Sequence, residues 1–174
     1  MKFVATKTVE QLDLQGLHRV RERLVCQRTS VINQIRAFLL ECGIAVRQGL
    51  RALRNEMPIV LGMTDKLSPR MIRMIADLCT DWHYLDGRIE TVSNEIETLS
   101  EQDDGAKRLM MVPGIGPIIS TATVAAIGRG DVFTKGRDFG AWLGLVPKQM
   151  STGDRTILGK ISKRGNRYLR VPFV

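Results

Sequence analysis

Aromatic side chains make up only 5% of this 174-residue chain. That scarcity argues against modules that grip nucleic acid by base stacking, which need exposed Phe or Tyr platforms. Histidine occurs only at His18 and His83, and cysteine only at Cys26, Cys42 and Cys79. No Cys-x-x-Cys pair is present, and the two histidines fall at no spacing that would complete a zinc site. The residues therefore point to no cofactor. Three scattered thiols read as reduced cysteines of a cytoplasmic protein. No run approaches the ~20 apolar residues of a membrane span, and Met1–Lys7 lacks the apolar core of a signal peptide. The length suits one ordinary domain, or a small domain with an extension.

What the chain does have is positive charge, +8 in all and unevenly spread. Lys and Arg outnumber Asp and Glu by 10 to 5 in residues 1–60, but 6 to 10 in 61–110. The balance is 3 to 2 in 111–147 and 7 to 1 in 148–174. A tail so basic implies a polyanionic partner such as nucleic acid, or else a solubilising surface.

The spacing predicts an all-α fold, with no useful β alternation anywhere. Thr8 and Gln11 form a capping box that opens a long helix over 8–43. Leu17, Val20, Leu24, Val31, Ile35, Phe38 and Cys42 recur at helical spacing within it. Arg19, Arg21, Arg23, Arg28 and Arg36 line the other face, either solvated or in phosphate contact. Gly43 is the stop. Residues 44–67 read as irregular, with room for a short helix at 50–56. Ser68-Pro69 then caps a second long helix. Met71, Ile75, Leu78, Trp82, Leu85, Ile89, Val92, Ile96 and Leu99 advance in steps of four and three. Four heptads of this kind favour a coiled coil over an ordinary amphipathic helix packed on its own domain, with the partner helix either in this chain, as an intramolecular hairpin, or in a second copy, as a homo-oligomer. Ser100–Gly105 breaks the pattern. These signals divide the chain into 1–67, a coiled coil at 68–104, and a glycine-rich basic domain at 105–174.

Val112-Pro113-Gly114-Ile115-Gly116-Pro117 lies between two apolar helical stretches and reads as a helix-hairpin-helix. Gly114 and Gly116 permit positive φ and close approach, Pro117 starts the next helix, and Ile115 would plug the core between the helices. Amides around Ile115 would then face a DNA phosphate; the plainer reading is a tight packing turn. Gly136–Pro147 predicts a short helix with a small-residue face and Trp142 in the core.

Ser151-Thr152-Gly153-Asp154 predicts a turn with an exposed hydroxyl, amid Lys148, Arg155, Lys160, Lys163, Arg164, Arg167 and Arg170. Such cations could stabilise the transition state if Ser151 attacked a phosphodiester, although most such turns are only turns. Ser162 would cap a final basic helix, Lys163 to Arg170.

In order, VPGIGP, FGAWLGLVPKQMSTG and LGKISKRGNRYLR resemble the C-terminal domain of insertion-sequence transposases of the one-ten / eleven-eleven family, DEDD-type RNA-guided serine recombinases. FVATKTVEQLDLQGLHRVRERLVCQRTSVINQIRAFLLECGI is similar to the stretch following that family's RuvC-like acidic core. The resemblance implies a site-specific DNA recombinase with DNA and a guide RNA as partners. It implies four carboxylates of a RuvC-like domain holding a divalent metal such as Mg, a coiled coil for assembly, and a serine joined covalently to DNA. That serine falls on Ser151. Where the family has a second glycine and a lysine, this chain has Asp154 and Arg155, and an aspartate there opposes phosphate approach. The acidic core has no counterpart here, and Val171–Val174 departs from the family, so the expected product is a transposase fragment truncated at both ends and inactive alone. The alternatives are a non-catalytic DNA-binding or assembly module that pairs with a full-length transposase, and a repair-type helix-hairpin-helix adaptor.

Overall fold

The computed structural model describes residues 6–173. Most of the segment read against a signal peptide, and Val174 of the departing C-terminus, lie outside the described residues. Helix α1 spans Val9–Glu41. Its capping box is reciprocal: Gln11 N–H donates to Thr8 Oγ1 (3.2 Å) while Thr8 N–H donates to Gln11 Oε1 (3.0 Å). At the other end Gly43 has φ 74°. Ile44 N–H returns to the Leu39 carbonyl and Gly43 N–H to that of Leu40, a left-handed glycine stop.

Helix α2, Leu50–Leu61, runs past the expected end at 56 and carries Pro58 inside it. A proline there forfeits one helical hydrogen bond and costs about 3 kcal/mol. Burial of Leu53, Met57 and Val60 on one face offsets it. Helix α3 spans Pro69–Gln102, with Ser68 Oγ accepting from Met71 N–H at 3.2 Å. Along the α3 seam Ile75, Trp82, Ile89 and Ile96 are fully buried, and the positions between them are half-buried. The break after α3 is a single residue: Asp103 Oδ1 accepts from Ala106 N–H at 2.7 Å and starts helix α4, Asp104–Met110.

The chain divides into two compact units. One is contiguous, Arg19–Asn94. Its core joins Ile32, Ile35 and Leu39 of α1 to Leu53, Met57 and Val60 of α2 and to Ile75, Cys79 and Trp82 of α3. Arg21 Nε donates to Ser93 Oγ and Arg28 Nη1 to Asp86 Oδ1, so α1 and α3 run antiparallel within it. Arg54 reaches the other Asp86 oxygen at 2.7 Å and lies 5.6 Å above the Trp82 ring. Burial pushes the Cys79 thiol pKa up.

The other unit comprises residues up to His18 and those from Glu95 onward. It contains α4, helix α5 (Pro117–Ile127), helix α6 (Gly136–Leu143), strands β1 (Pro147–Thr152) and β2 (Arg155–Ile161), and a short helix α7 (Arg167–Arg170) leading into a 3-10 turn at Val171–Phe173. Ala122, Leu143 and Leu169 form its core, with Phe139, Leu145, Tyr168 and Phe173 packed around them.

The helical expectation holds for most of the chain but fails for 147–161, which forms an antiparallel hairpin. Its turn is Gly153-Asp154 with Gly153 at φ 58°, the two-residue form that suits glycine first. The flanking Ser-Thr and Thr-Ile-Leu residues favour strand. The last helix is also shorter than expected. Lys163 adopts φ 57°, outside helical space, and Asn166, not Ser162, caps α7 by accepting from Leu169 N–H. Among the described residues no helix is long and apolar enough to cross a membrane.

Candidate nucleic-acid interface

The turn between α4 and α5 holds Gly114, Ile115 and Gly116. Gly114 has φ 90°, a conformation that L side chains rarely adopt. Gly116 does not need that freedom: at φ −98° it is the extended N-cap of α5, and Pro117 takes the first helical position. Ile115 is half-buried, and its N–H closes the turn onto the Val112 carbonyl at 3.1 Å. The helix before the turn ends at Met110, which leaves Met111 and Val112 exposed at its tip.

Behind this turn lies a buried polar chain that nothing local in the sequence announces. His18 is 3% exposed; its Nδ1 is 2.9 Å from Tyr168 Oη and its Nε2 is 3.0 Å from Thr121 Oγ1. Thr121 Oγ1 donates to the Pro117 carbonyl at 2.5 Å, so it accepts from His18 Nε2–H. His18 thus ties the first turn of α5 to α7, which bears exposed Arg167.

The strand hairpin carries Ser151 and three of the expected cations. Every residue of β1 is exposed, and β2 is exposed up to Lys160. Pairing of Gln149 with Leu158 and Ser151 with Thr156 puts these four side chains on one face. Gln149 Nε2 donates to Ser151 Oγ at 3.1 Å, and Thr156 Oγ1 lies 3.5 Å from that oxygen. Sequence reasoning missed Gln149; its place two positions from Ser151 was legible only once a strand was assigned. Arg155 pairs across the turn with Thr152. The register then slips, so that Gly159 and Lys160 together oppose Lys148, a two-against-one bulge. Like charges opposed across a ladder destabilise an isolated sheet.

Lys163 and Arg164 are exposed beyond the hairpin, held by a tight backbone clamp. Lys163 N–H donates to the Gly144 carbonyl at 3.1 Å, and Ser162 Oγ donates to the same oxygen at 3.2 Å. Ser162 is therefore a strut, not a helix cap. Gly144 has φ 75°, and a Cβ added to it would meet Gly165 N at 2.6 Å and Arg164 N at 2.9 Å. One added to Gly165 would overlap the Trp142 and Leu143 carbonyls. Arg170 Nη1 donates to the carbonyls of Leu143 and Gly165, closing the clamp. Trp142 corrects its sequence reading: 38% of it is exposed, because α6 turns Leu143 inward instead.

The structure thus groups the sequence-predicted residues in two places, the hairpin and the clamp that bears Lys163 and Arg164; on the hairpin the register turns Lys148 and Arg155 to the face opposite Ser151, so the serine and these cations are not brought together. Gly114–Gly116 and Arg167 sit at either end of the His18 chain. Among the described residues no three His, Cys, Asp or Glu side chains gather to hold a metal ion.

The sequence model of the transposase IS116/IS110/IS902 family matches residues 106–174. The chain is 38% identical over 98% of its length to the transposase for insertion sequence element IS1328 of Yersinia enterocolitica, covering 50% of that protein. It is 37% identical over its whole length to the transposase for insertion sequence element IS1111A of Coxiella burnetii, covering 48% of it. The chain spans about half the length of the curated relatives it matches. With three ordered motifs on this framework, residues 106–174 carry the domain of the IS116/IS110/IS902 family of transposases, and the chain is similar from end to end to about half of each of these relatives.

Proposed function

We propose that this chain is the DNA-handling part of an insertion-sequence transposase acting in DNA transposition by site-specific recombination. The observation that carries the reading is the glycine clamp, which spends two tightly packed positions on presenting Lys163 and Arg164 to solvent. Nothing in a packed core requires that; a phosphate backbone does. Lys148 opposite Lys160, together with Arg155, adds cations whose mutual repulsion a bound phosphate would relieve. The α4–α5 turn acts as a helix-hairpin-helix: the Ile115 N–H closes the turn onto Val112, and the amides of Gly114 and Gly116 on either side turn to a further phosphate; Arg167 extends the same basic surface. The family resemblance makes a guide RNA a second polyanion for these cations. It also makes α3 an assembly helix; because Ile75 and Trp82 of its seam are packed in the chain's own core, two copies would meet through half-buried seam positions such as Leu85.

Ser151 is the proposed nucleophile. Its Oγ would bond to phosphorus as the bond from phosphorus to a deoxyribose oxygen breaks; the hydroxyl proton leaves to solvent, and the departing oxygen is protonated in turn. Gln149, by donating to Ser151 Oγ, leaves the serine hydrogen free for a base. The divalent metal that the family implies finds no fit among the described residues. Asp154 in the turn favours a second reading, a non-catalytic DNA-binding and assembly module that pairs with a full-length transposase.

Titration of labelled duplex at about 50 and about 200 mM salt tests the reading. Affinity should fall steeply with salt and vary little with sequence. Lys163→Ala with Arg164→Ala should weaken every duplex alike and flatten the log–log salt slope by roughly 2, one per lost phosphate contact. Salt-independent affinity would sink the proposal.

A further inference from the structure

Few as the aromatic residues are, four of the nine gather in one place. Phe139 and Trp142 stack at 6.0 Å with 19° between their planes. Phe133 meets both edge-on at 5.4 and 5.8 Å, and Phe173 meets Phe139 edge-on at 5.9 Å. Phe139 and Phe173 pack on the core. Trp142 is the outer member, braced from beneath and open to solvent at 38%. Rigid support for an exposed indole is poor economy for stability, since an amphipathic helix could place a polar residue there.

The cationic segment docks on the backbone of this same residue. Gly165 packs against the Trp142 and Leu143 carbonyls, and Lys163 N–H is bonded to Gly144, so Lys163 and Arg164 are fixed beside the turn that ends α6. Both are exposed, as are Arg129, Lys135 and Arg137. Residues 106–174 carry 12 Lys or Arg against 3 acidic residues, and one of those, Asp138, already accepts from Thr134 Oγ1. An exposed flat ring whose own backbone abuts an exposed cationic segment is complementary to a flat base attached to a phosphate. A paired duplex hides its base faces within the stack; an unpaired nucleotide offers one.

We propose that Trp142 is a stacking platform for an unpaired base of a DNA strand whose neighbouring phosphates rest on Lys163 and Arg164. The proposal rests on the DNA-binding reading above and adds what part of the DNA this surface takes: a base outside the helix, as strands undergoing exchange must present. It is a platform of one residue, which is how a chain this poor in aromatics can still stack a base.

The protein's two tryptophans make the test direct. Trp82 is 1% exposed, so a change in tryptophan emission on adding DNA reports Trp142. A short oligothymidylate should quench that emission, and a fully paired blunt duplex should not. Trp142→Phe should abolish the quenching while keeping most of the single-strand affinity. Trp142→Ala should lose roughly 5- to 150-fold in single-strand affinity, the range of one stacked base, with duplex affinity unchanged. Circular dichroism checks the fold of both variants, and the unmodified protein's quenching needs no variant at all. Salt-sensitive duplex binding with no single-strand quenching would overturn the platform and leave the DNA-binding reading standing. Failure to bind either DNA would overturn both.

Discussion

At the scale of single residues, the site turns on contacts too short for any other side chain. Gly144 and Gly165 let two backbone segments touch, and Lys163 accepts a left-handed conformation to follow them. None of this was legible beforehand: VPKQMSTG and KISKRGN give the positive charge but not the backbone path that aims it. Ser151 is the opposite case, since its exposure was legible, whereas the register that sets it beside Gln149 and turns Lys148 and Arg155 to the other face was not. In-line attack needs a phosphate held to within about 1 Å, and looser placement costs about 100-fold. Asp154 stands in the turn next to that approach, and the carboxylates among the described residues do not converge. No protein–DNA adduct surviving denaturation is therefore expected when this chain alone is incubated with nicked and duplex element-end DNA and magnesium. An adduct that vanished in Ser151→Ala would reverse that expectation and identify the residue.

At the scale of elements, long periodic stretches were readable and short irregular ones were not. The caps at Thr8–Gln11 and Ser68, the stop at Gly43 and the α3 seam all follow from local rules, and each lies within a turn of its expected place. Helix α2 outran its prediction because tertiary burial outweighed Pro58. The β1–β2 hairpin was missed because its alternation is weak: hydroxyls, a lysine and a glycine bulge interrupt it, and all its side chains but the last are exposed, so no buried face wrote a pattern. The seam itself supports a test of assembly. Leu85, half-buried, lines an open groove with Gln27, Ser30, Val31, Asp81 and Tyr84. If a second copy uses that surface, Leu85→Asp should halve the mass seen by light scattering and leave helix content unchanged. A parent protein of single-chain mass would count against self-association. Trp82, by contrast, belongs to the internal core, and its truncation to Ala should cost about 3–5 kcal/mol of stability whatever the oligomeric state.

At the scale of the molecule, one compact unit is built from both ends of the chain. His18 and Tyr168 lie 150 positions apart, yet share a hydrogen bond. Closing so long a loop from a random chain costs about 2 kcal/mol more entropy than closing one a tenth as long. The contiguous unit removes most of that cost in advance. Because α1 and α3 run antiparallel within it, forming residues 19–94 delivers position 19 and position 94 to the same end. Folding should therefore be ordered in time. In pulsed hydrogen exchange, amides of α1 and α3 between residues 19 and 94 should gain protection before those of α5 and α7; simultaneous protection would refute the order. The basic surface would then be the last part of the protein to mature, and a nascent or partly unfolded chain would hold its helical pair intact while its grip on a polyanion was not yet assembled.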